Sequence, residues 1–85
     1  MKFADHKVWP DRRFAIGREE ESGRYYLAIA VSNARVDYEE YYEIDLAIFE
    51  TFSKDSAAAA SFAERCRRRE LDHLLILPPG TDRGV

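Results

Sequence analysis

The residues best suited to chemistry in this sequence are one cysteine and an acid next to a histidine. Asp72 and His73 could act as an orienting acid and a general base, but adjacent side chains point in different directions and no nucleophile stands in a recognisable motif. Cys66 lies between Arg65 and Arg67 on a helical stripe, which favours a buried small hydrophobe. We therefore expect no catalytic residue and no enzyme.

Metal and disulfide chemistry are also disfavoured. A single cysteine cannot close an internal disulfide, and His6 and His73 do not stand at the spacing of zinc ligands. The carboxylates between Asp37 and Glu43 could approach a divalent cation, but alternate residues of a strand lie about 7 Å apart and converge poorly. We expect neither a metal nor a cofactor.

The charges are segregated along the chain. Residues Asp37 to Glu50 include six acids and no base, whereas four arginines form a basic cluster farther on: Arg65, Arg67, Arg68 and Arg69. The net charge of −3 disfavours a sequence-independent nucleic-acid binder, which must neutralise several phosphates. A basic protein is the expected partner of the acidic segment.

Composition predicts a small globular domain. The chain has 85 residues, of which 46% are hydrophobic and 34% charged, and its apolar run Leu74 to Leu77 is far shorter than the ~20 residues of a membrane helix. We expect a cytoplasmic protein with no membrane contact. Residues 1–85 should form one domain, with an N-terminal arm at 1–12, a core at 13–77 and a flexible tail at 78–85.

Alternating apolar residues predict three antiparallel strands, Phe14–Arg18, Arg24–Ser32 and Arg35–Ile44. A loop at residues 20–23 places Ile16 opposite Leu27 and Phe14 opposite Ile29. If Asn33 and Ala34 form a two-residue turn, the next hairpin pairs Val31 with Val36, Ile29 with Tyr38, Leu27 with Glu40, and Tyr25 with Tyr42. In both hairpins, one face of the sheet is nearly all apolar.

Helical spacing follows the strands. Asp45 is a good N-cap for a short helix that begins near Leu46, and Ser53 or Asp55 can cap a main helix over Ser56–Glu70. Leu74–Leu77 suggests a short final strand or an extended edge. The predicted fold is therefore α+β: a three- to four-stranded antiparallel meander with one short and one long helix packed on one face, in the order β-β-β-α-α-β.

The face opposite the apolar one is the candidate functional surface. It combines small residues with two tyrosines and three acids: Ala15, Gly17, Ala28, Ala30, Tyr26, Tyr41, Asp37, Glu39 and Glu43. Aromatic residues ringed by one charge sign are typical of sites that recognise an oppositely charged protein, although an ordinary solvated sheet face has the same pattern. An N-terminal arm bearing Phe3, Val8 and Trp9 could also fold over the small residues.

The leading hypothesis is a non-catalytic protein-interaction module that presents this acidic face to a basic protein, as an inhibitor, immunity protein or antitoxin would. Two alternatives stay open. One is a homodimer that pairs through a sheet edge or through Leu74–Leu77. The other is a nucleic-acid contact through the basic cluster.

Overall fold

The computed structural model describes residues 1–32 and 37–78, which form four strands, two helices and a short 3₁₀ helix. These elements are β1 (Phe3–Trp9), β2 (Phe14–Glu19), β3 (Tyr25–Ser32), β4 (Asp37–Ile44), α1 (Leu46–Lys54), α2 (Ser56–Arg67) and the 3₁₀ helix (Asp72–Leu74). The strands form one antiparallel sheet in the order β1-β2-β3-β4. The predicted α+β class is confirmed, but the predicted order of elements is wrong at both ends.

At the N-terminus, Phe3–Trp9 is a strand and not an arm. It pairs with β2 through a hairpin in which Trp9 lies opposite Phe14. The connecting loop closes when the backbone N–H of Arg13 donates to the carbonyl of Trp9 at 2.8 Å. A register shift between Asp5 and Lys7 marks a β-bulge in this edge strand. The mixed charges of β1 hide the period-two alternation that identifies the other strands.

The two remaining hairpins test the predicted registers. Phe14 lies opposite Ile29 and Ile16 opposite Leu27, as predicted. Between β3 and β4 the register differs by two residues, with these pairs: Tyr25 with Ile44, Leu27 with Tyr42, Ile29 with Glu40, and Val31 with Tyr38. The proposed turn residues Asn33 and Ala34 lie outside the described residues. Because side chains alternate with period two, a shift of two leaves each side chain on its predicted face.

Both helices pack on the apolar face, which we call the inner face. Leu27, Ile16 and Tyr42 are fully buried there, and α2 covers them with Ala59 and Ala63. Cys66 belongs to the same core, which confirms its prediction as a buried small hydrophobe. The alanines bring α2 close to the sheet because they carry no side chain beyond Cβ.

The helix starts are fixed by two aspartates, as predicted. The Asp45 carboxylate accepts from the backbone N–H of Ile48 at 2.8 Å, and that of Asp55 accepts from Ala58 at 3.1 Å. Replacing Asp55 with alanine should lower the free energy of unfolding by about 1 kcal/mol, because the first turn of α2 loses its acceptor. Urea unfolding measures this effect. Asp55→Asn should retain most of the stability, and equal losses in both variants would contradict a capping role.

Helix α2 ends at Arg67, three residues before the predicted end. The backbone N–H of Glu70 donates to the Arg65 carbonyl at 3.1 Å, and that of Arg69 donates to the Cys66 carbonyl at 3.0 Å. This is the Schellman arrangement, which requires a left-handed residue, and Arg69 has a φ of 62°. The chain therefore turns away from the helix axis at Arg69.

No regular final strand forms at Leu74–Leu77, so that alternative is wrong, but Leu75 and Ile76 lie along the edge of β4, which agrees with the alternative of an extended edge. Residues Asp72–Leu74 form the 3₁₀ helix, and Leu75 makes a single antiparallel bridge with Tyr42. The Ile76 N–H then donates to the Tyr41 carbonyl at 2.9 Å. The bridge does not extend, because Leu77 and Pro78 are exposed and proline has no N–H to donate. Of the predicted tail at 78–85, residues 79–85 lie outside the described part of the chain.

Candidate interaction surface

The face of the sheet turned away from the helices, which we call the outer face, carries every residue predicted for the acidic surface. Strand alternation and register place these residues there: Tyr26 from β3, and Asp37, Glu39, Tyr41 and Glu43 from β4. β1 adds Phe3 and Asp5, which lie opposite Glu19 and Gly17. The sequence interpretation missed Asp5, because it treated β1 as an arm.

Three aromatic rings form the centre of the outer face. Phe3 stacks on Tyr41 with ring centroids 3.6 Å apart, and its ring meets Tyr26 edge to face at 5.4 Å. Tyr26 and Tyr41 also meet edge to face, at 5.1 Å. Tyr26 is fully buried beneath its neighbours, whereas Phe3 and Tyr41 are partly exposed. Phe3 and Tyr41 are therefore the aromatic groups that a partner could touch.

The two phenols are tied to two carboxylates. Tyr26 donates to Asp5 at 2.6 Å and Tyr41 donates to Glu39 at 2.8 Å. Burial raises the pKa of both tyrosines well above the ordinary value, and the hydrogen bonds to the carboxylates raise it further. Both phenols consequently keep their protons and act as donors. Each carboxylate has roughly four acceptor positions, so it can still accept from a second donor.

The four exposed acids of the outer face differ in their partners. Asp37 lies 4.0 Å from Arg13, and Glu43 lies 3.9 Å from Arg24, so these two are weakly paired at opposite ends of β4. Across residues 1–32 and 37–78, no lysine or arginine lies within salt-bridge distance of Asp5 or Glu39. The centre of the outer face therefore carries two carboxylates that form no ion pair with a described residue.

A hollow of about 210 Å³ opens between these two carboxylates. Its described walls include Asp5, Val8 and Glu39, and its floor includes Ala15 and Ala30. The small residues noted in the sequence create it, because larger side chains there would fill the space. The hollow is below the usual size of a pocket for a drug-sized ligand, so it suits a single side chain. Arg13, which pairs with Asp37, borders it as well.

The structure divides the basic cluster of the sequence. Arg65 and Arg68 both pair with Glu70, at 3.3 and 2.8 Å, and these bonds raise the pKa of Arg68 and lower that of Glu70. Arg67 instead turns to the β1–β2 loop, where its Nη2 donates to the Arg12 carbonyl at 2.6 Å. The four arginines, with Arg69 at the end of α2, do not form one basic stripe.

The remaining candidates for chemistry, Cys66 and the pair Asp72 and His73, lie in the core and in the 3₁₀ helix. Burial raises the pKa of the Cys66 thiol to about 12, although Arg67 and Arg65 oppose the shift, so the thiol stays protonated and unreactive. Asp72 and His73 are neighbours in the 3₁₀ helix. Among residues 1–32 and 37–78, no group of three or more histidine, cysteine, aspartate or glutamate side chains is arranged to hold a metal ion.

Within residues 1–32 and 37–78, no helix has the length and apolar character needed to cross a bilayer. In comparisons with known proteins, the chain matched no family model, no curated protein and no solved structure.

Proposed function

We propose that this protein is a non-catalytic interaction module whose outer face captures a basic protein. The observation that carries the proposal is the pair of exposed carboxylates, Asp5 and Glu39. They flank a side-chain-sized hollow, and among the described residues no lysine or arginine lies within salt-bridge distance of either, although Arg13 borders the hollow. A lysine or arginine from the partner would enter the hollow and bond to both. The proposed partner is therefore a protein with an exposed lysine or arginine at its binding surface.

The aromatic centre would supply the rest of the affinity. Phe3 and Tyr41 are stacked and partly exposed, and rigid aromatic groups next to charged anchors are typical energetic centres of protein interfaces. A guanidinium over the Tyr41 ring adds a cation–π contribution. Asp37 and Glu43 lie farther out, where rim charges mainly accelerate association. An inhibitor, an immunity protein or an antitoxin would use its surface in this way.

The two alternatives have less support from the geometry. The outer edge of β1 is interrupted by the bulge between Asp5 and Lys7, and the edge of β4 is met by Leu75 and Ile76. Interrupted or covered edges pair poorly with a second copy. The basic cluster is largely committed to Glu70, Glu64 and backbone carbonyls, which leaves less positive charge for a nucleic acid.

A short arginine-containing peptide is the direct probe of the proposal. Titration followed by amide chemical shifts should perturb Asp5, Glu39 and Tyr41, and the affinity should fall as salt rises. Glu39→Lys should weaken binding at least about tenfold, because it removes one anchor and adds repulsion. Adding Tyr41→Ala should abolish binding.

The matched control is Glu50→Lys, which makes the same charge change on α1, away from the outer face. It should bind the peptide nearly as well as the native chain. Equal weakening by Glu50→Lys and Glu39→Lys would reveal only a net-charge effect and would overturn the proposal. In affinity capture, the same variants should separate specific basic partners from proteins held by charge alone.

A further inference from the structure

A second, larger cavity lies on the inner side of the sheet, between β3 and the C-terminus of α2. It has a volume of about 440 Å³, within the range of small-molecule sites. Arginines line it from two separate parts of the chain: Arg13 from the β1–β2 loop, and Arg67 and Arg69 from the end of α2. Residues more than 50 positions apart in the sequence thus converge on one space.

The described lining of this cavity is positive although the whole chain is acidic. Three arginines face one carboxylate, that of Glu40, which is buried and accepts from the Tyr42 hydroxyl at 2.9 Å. Arg67 is held in place by Glu64 and by the carbonyls of the β1–β2 loop. A positive cavity in a protein with a net charge of −3 is a local arrangement and not a consequence of composition.

Arg13 is well placed to change partners. With described residues, its guanidinium makes only long contacts, 3.5 Å to the Ser32 hydroxyl and 4.0 Å to the Asp37 carboxylate. The Arg13 and Asp37 side chains are both more than half exposed. A guanidinium has five N–H donors in a planar fork that matches a carboxylate or phosphate. An incoming anion could therefore bind Arg13 without breaking a short bond.

The backbone at this cavity is strained at two points. Arg13 and Arg69 have φ values of 60° and 62°, and within the described ranges no other residue except glycine has a positive φ. Both line the cavity. Arginine in this left-handed region costs stability, and such strain is concentrated at functional sites. Two strained arginines at one cavity point to a role for their side chains that glycine could not fill.

The other walls are apolar. Ile29 and Val31 line the cavity from β3, and the neutral Cys66 thiol lines it from α2. We propose that this cavity binds a small organic anion, with its carboxylate or phosphate group held by the arginines and its apolar body against Ile29 and Val31. This inference does not require the proposed protein-binding surface, although Arg13 and Ala30 border both spaces.

Phenyl phosphate and benzoate are suitable probes, with benzamide as the neutral analogue and inorganic phosphate as the ion alone. Titration followed by amide shifts should show saturable binding of both organic anions, with Kd on the order of 1 mM or tighter. The shifts should centre on residues 29–32 and 66–70. Benzamide and inorganic phosphate should bind at least about tenfold more weakly.

Glycine variants separate binding from folding. Arg13→Gly and Arg69→Gly each remove a guanidinium but place glycine at a left-handed position, so both should fold and melt no lower than Arg68→Gln. Each should weaken phenyl phosphate binding about tenfold. Arg68→Gln, whose native side chain pairs with Glu70 and does not line the cavity, should bind normally.

Three results would overturn the inference. Absence of saturable binding by the native chain would remove the site. Unchanged affinity in both glycine variants would place the anion elsewhere. Equal binding of inorganic phosphate and phenyl phosphate would show an adventitious ion only.

Discussion

Gly17→Ala should destabilise the protein by roughly 3 kcal/mol. A methyl group on Gly17 would collide with the Ala4 carbonyl oxygen, and would lie 2.5 Å from the Tyr26 hydroxyl oxygen. The Ala4 carbonyl belongs to the backbone of β1, and the Tyr26 side chain is fully buried, so neither neighbour can move cheaply. Urea unfolding at neutral pH measures the loss.

Gly23→Ala is the matched control. Gly23 has a φ of +78°, and its nearest neighbour is the mobile end of Arg18 at 3.0 Å, so the substitution should cost only about 1 kcal/mol of backbone strain. In the Gly17→Ala chain, adding Tyr26→Phe should recover part of the loss, because it removes one of the crowded atoms. Equal effects at Gly17 and Gly23 would show that the close approach of Tyr26 and β1 is unimportant.

Glu19→Gln should lower the free energy of unfolding strongly at pH 7. The difference between the variant and the native chain should become smaller as the pH is lowered. The Glu19 side chain is fully buried and accepts three backbone N–H bonds: from Lys2 at 2.7 Å, Ser22 at 2.8 Å and Glu21 at 3.0 Å. The Ser22 hydroxyl and the Lys2 N–H are the main causes that lower the pKa of this carboxyl group from 4.5 to about 2. Glutamine would present an NH₂ group to at least one of these donors.

The sign of the pH dependence follows from these two pKa values. Between about pH 4.5 and 2 the unfolded chain binds a proton that the folded chain rejects, so stability falls as the pH is lowered through this window. Above it the contribution of Glu19 is fully present. Unfolding curves at several pH values should show a steeper acid loss for the native chain than for Glu19→Gln. Glu20→Gln, at an exposed neighbour, should follow the native curve; parallel curves for native and Glu19→Gln chains would contradict the prediction.

The faces of the sheet could be predicted because they depend only on period-two alternation. Phe14, Ile16, Leu27 and Ile29 are apolar at alternate positions, so any even register buries them. The exact register between β3 and β4 could not be predicted, since it depends on the length of the connecting loop. β1 was missed for a different reason: its mixed charges hide the period-two alternation, and the bulge between Asp5 and Lys7 interrupts what remains of it.

The candidate site could likewise be predicted only in part. Tyr26, Glu39 and Tyr41 could be assigned to one face, but the hydrogen bond that joins Tyr26 to Asp5 could not be predicted. The arginine-lined cavity could not be foreseen at all. Arg13 and Arg69 are in left-handed conformations that local sequence does not favour, and only the tertiary fold brings them together.

The order of elements has a consequence for how the protein is made. Each strand pairs with the strand synthesised just before it, whereas both helices follow the whole sheet. A ribosome-bound chain can therefore form its β-hairpins early. The inner face of the sheet is not fully covered until α2 emerges from the ribosome. Arg67 then links α2 to the Arg13 and Arg12 carbonyls, 54 and 55 residues upstream. Nascent chains that stall before α2 expose an apolar sheet, which makes them substrates for chaperones.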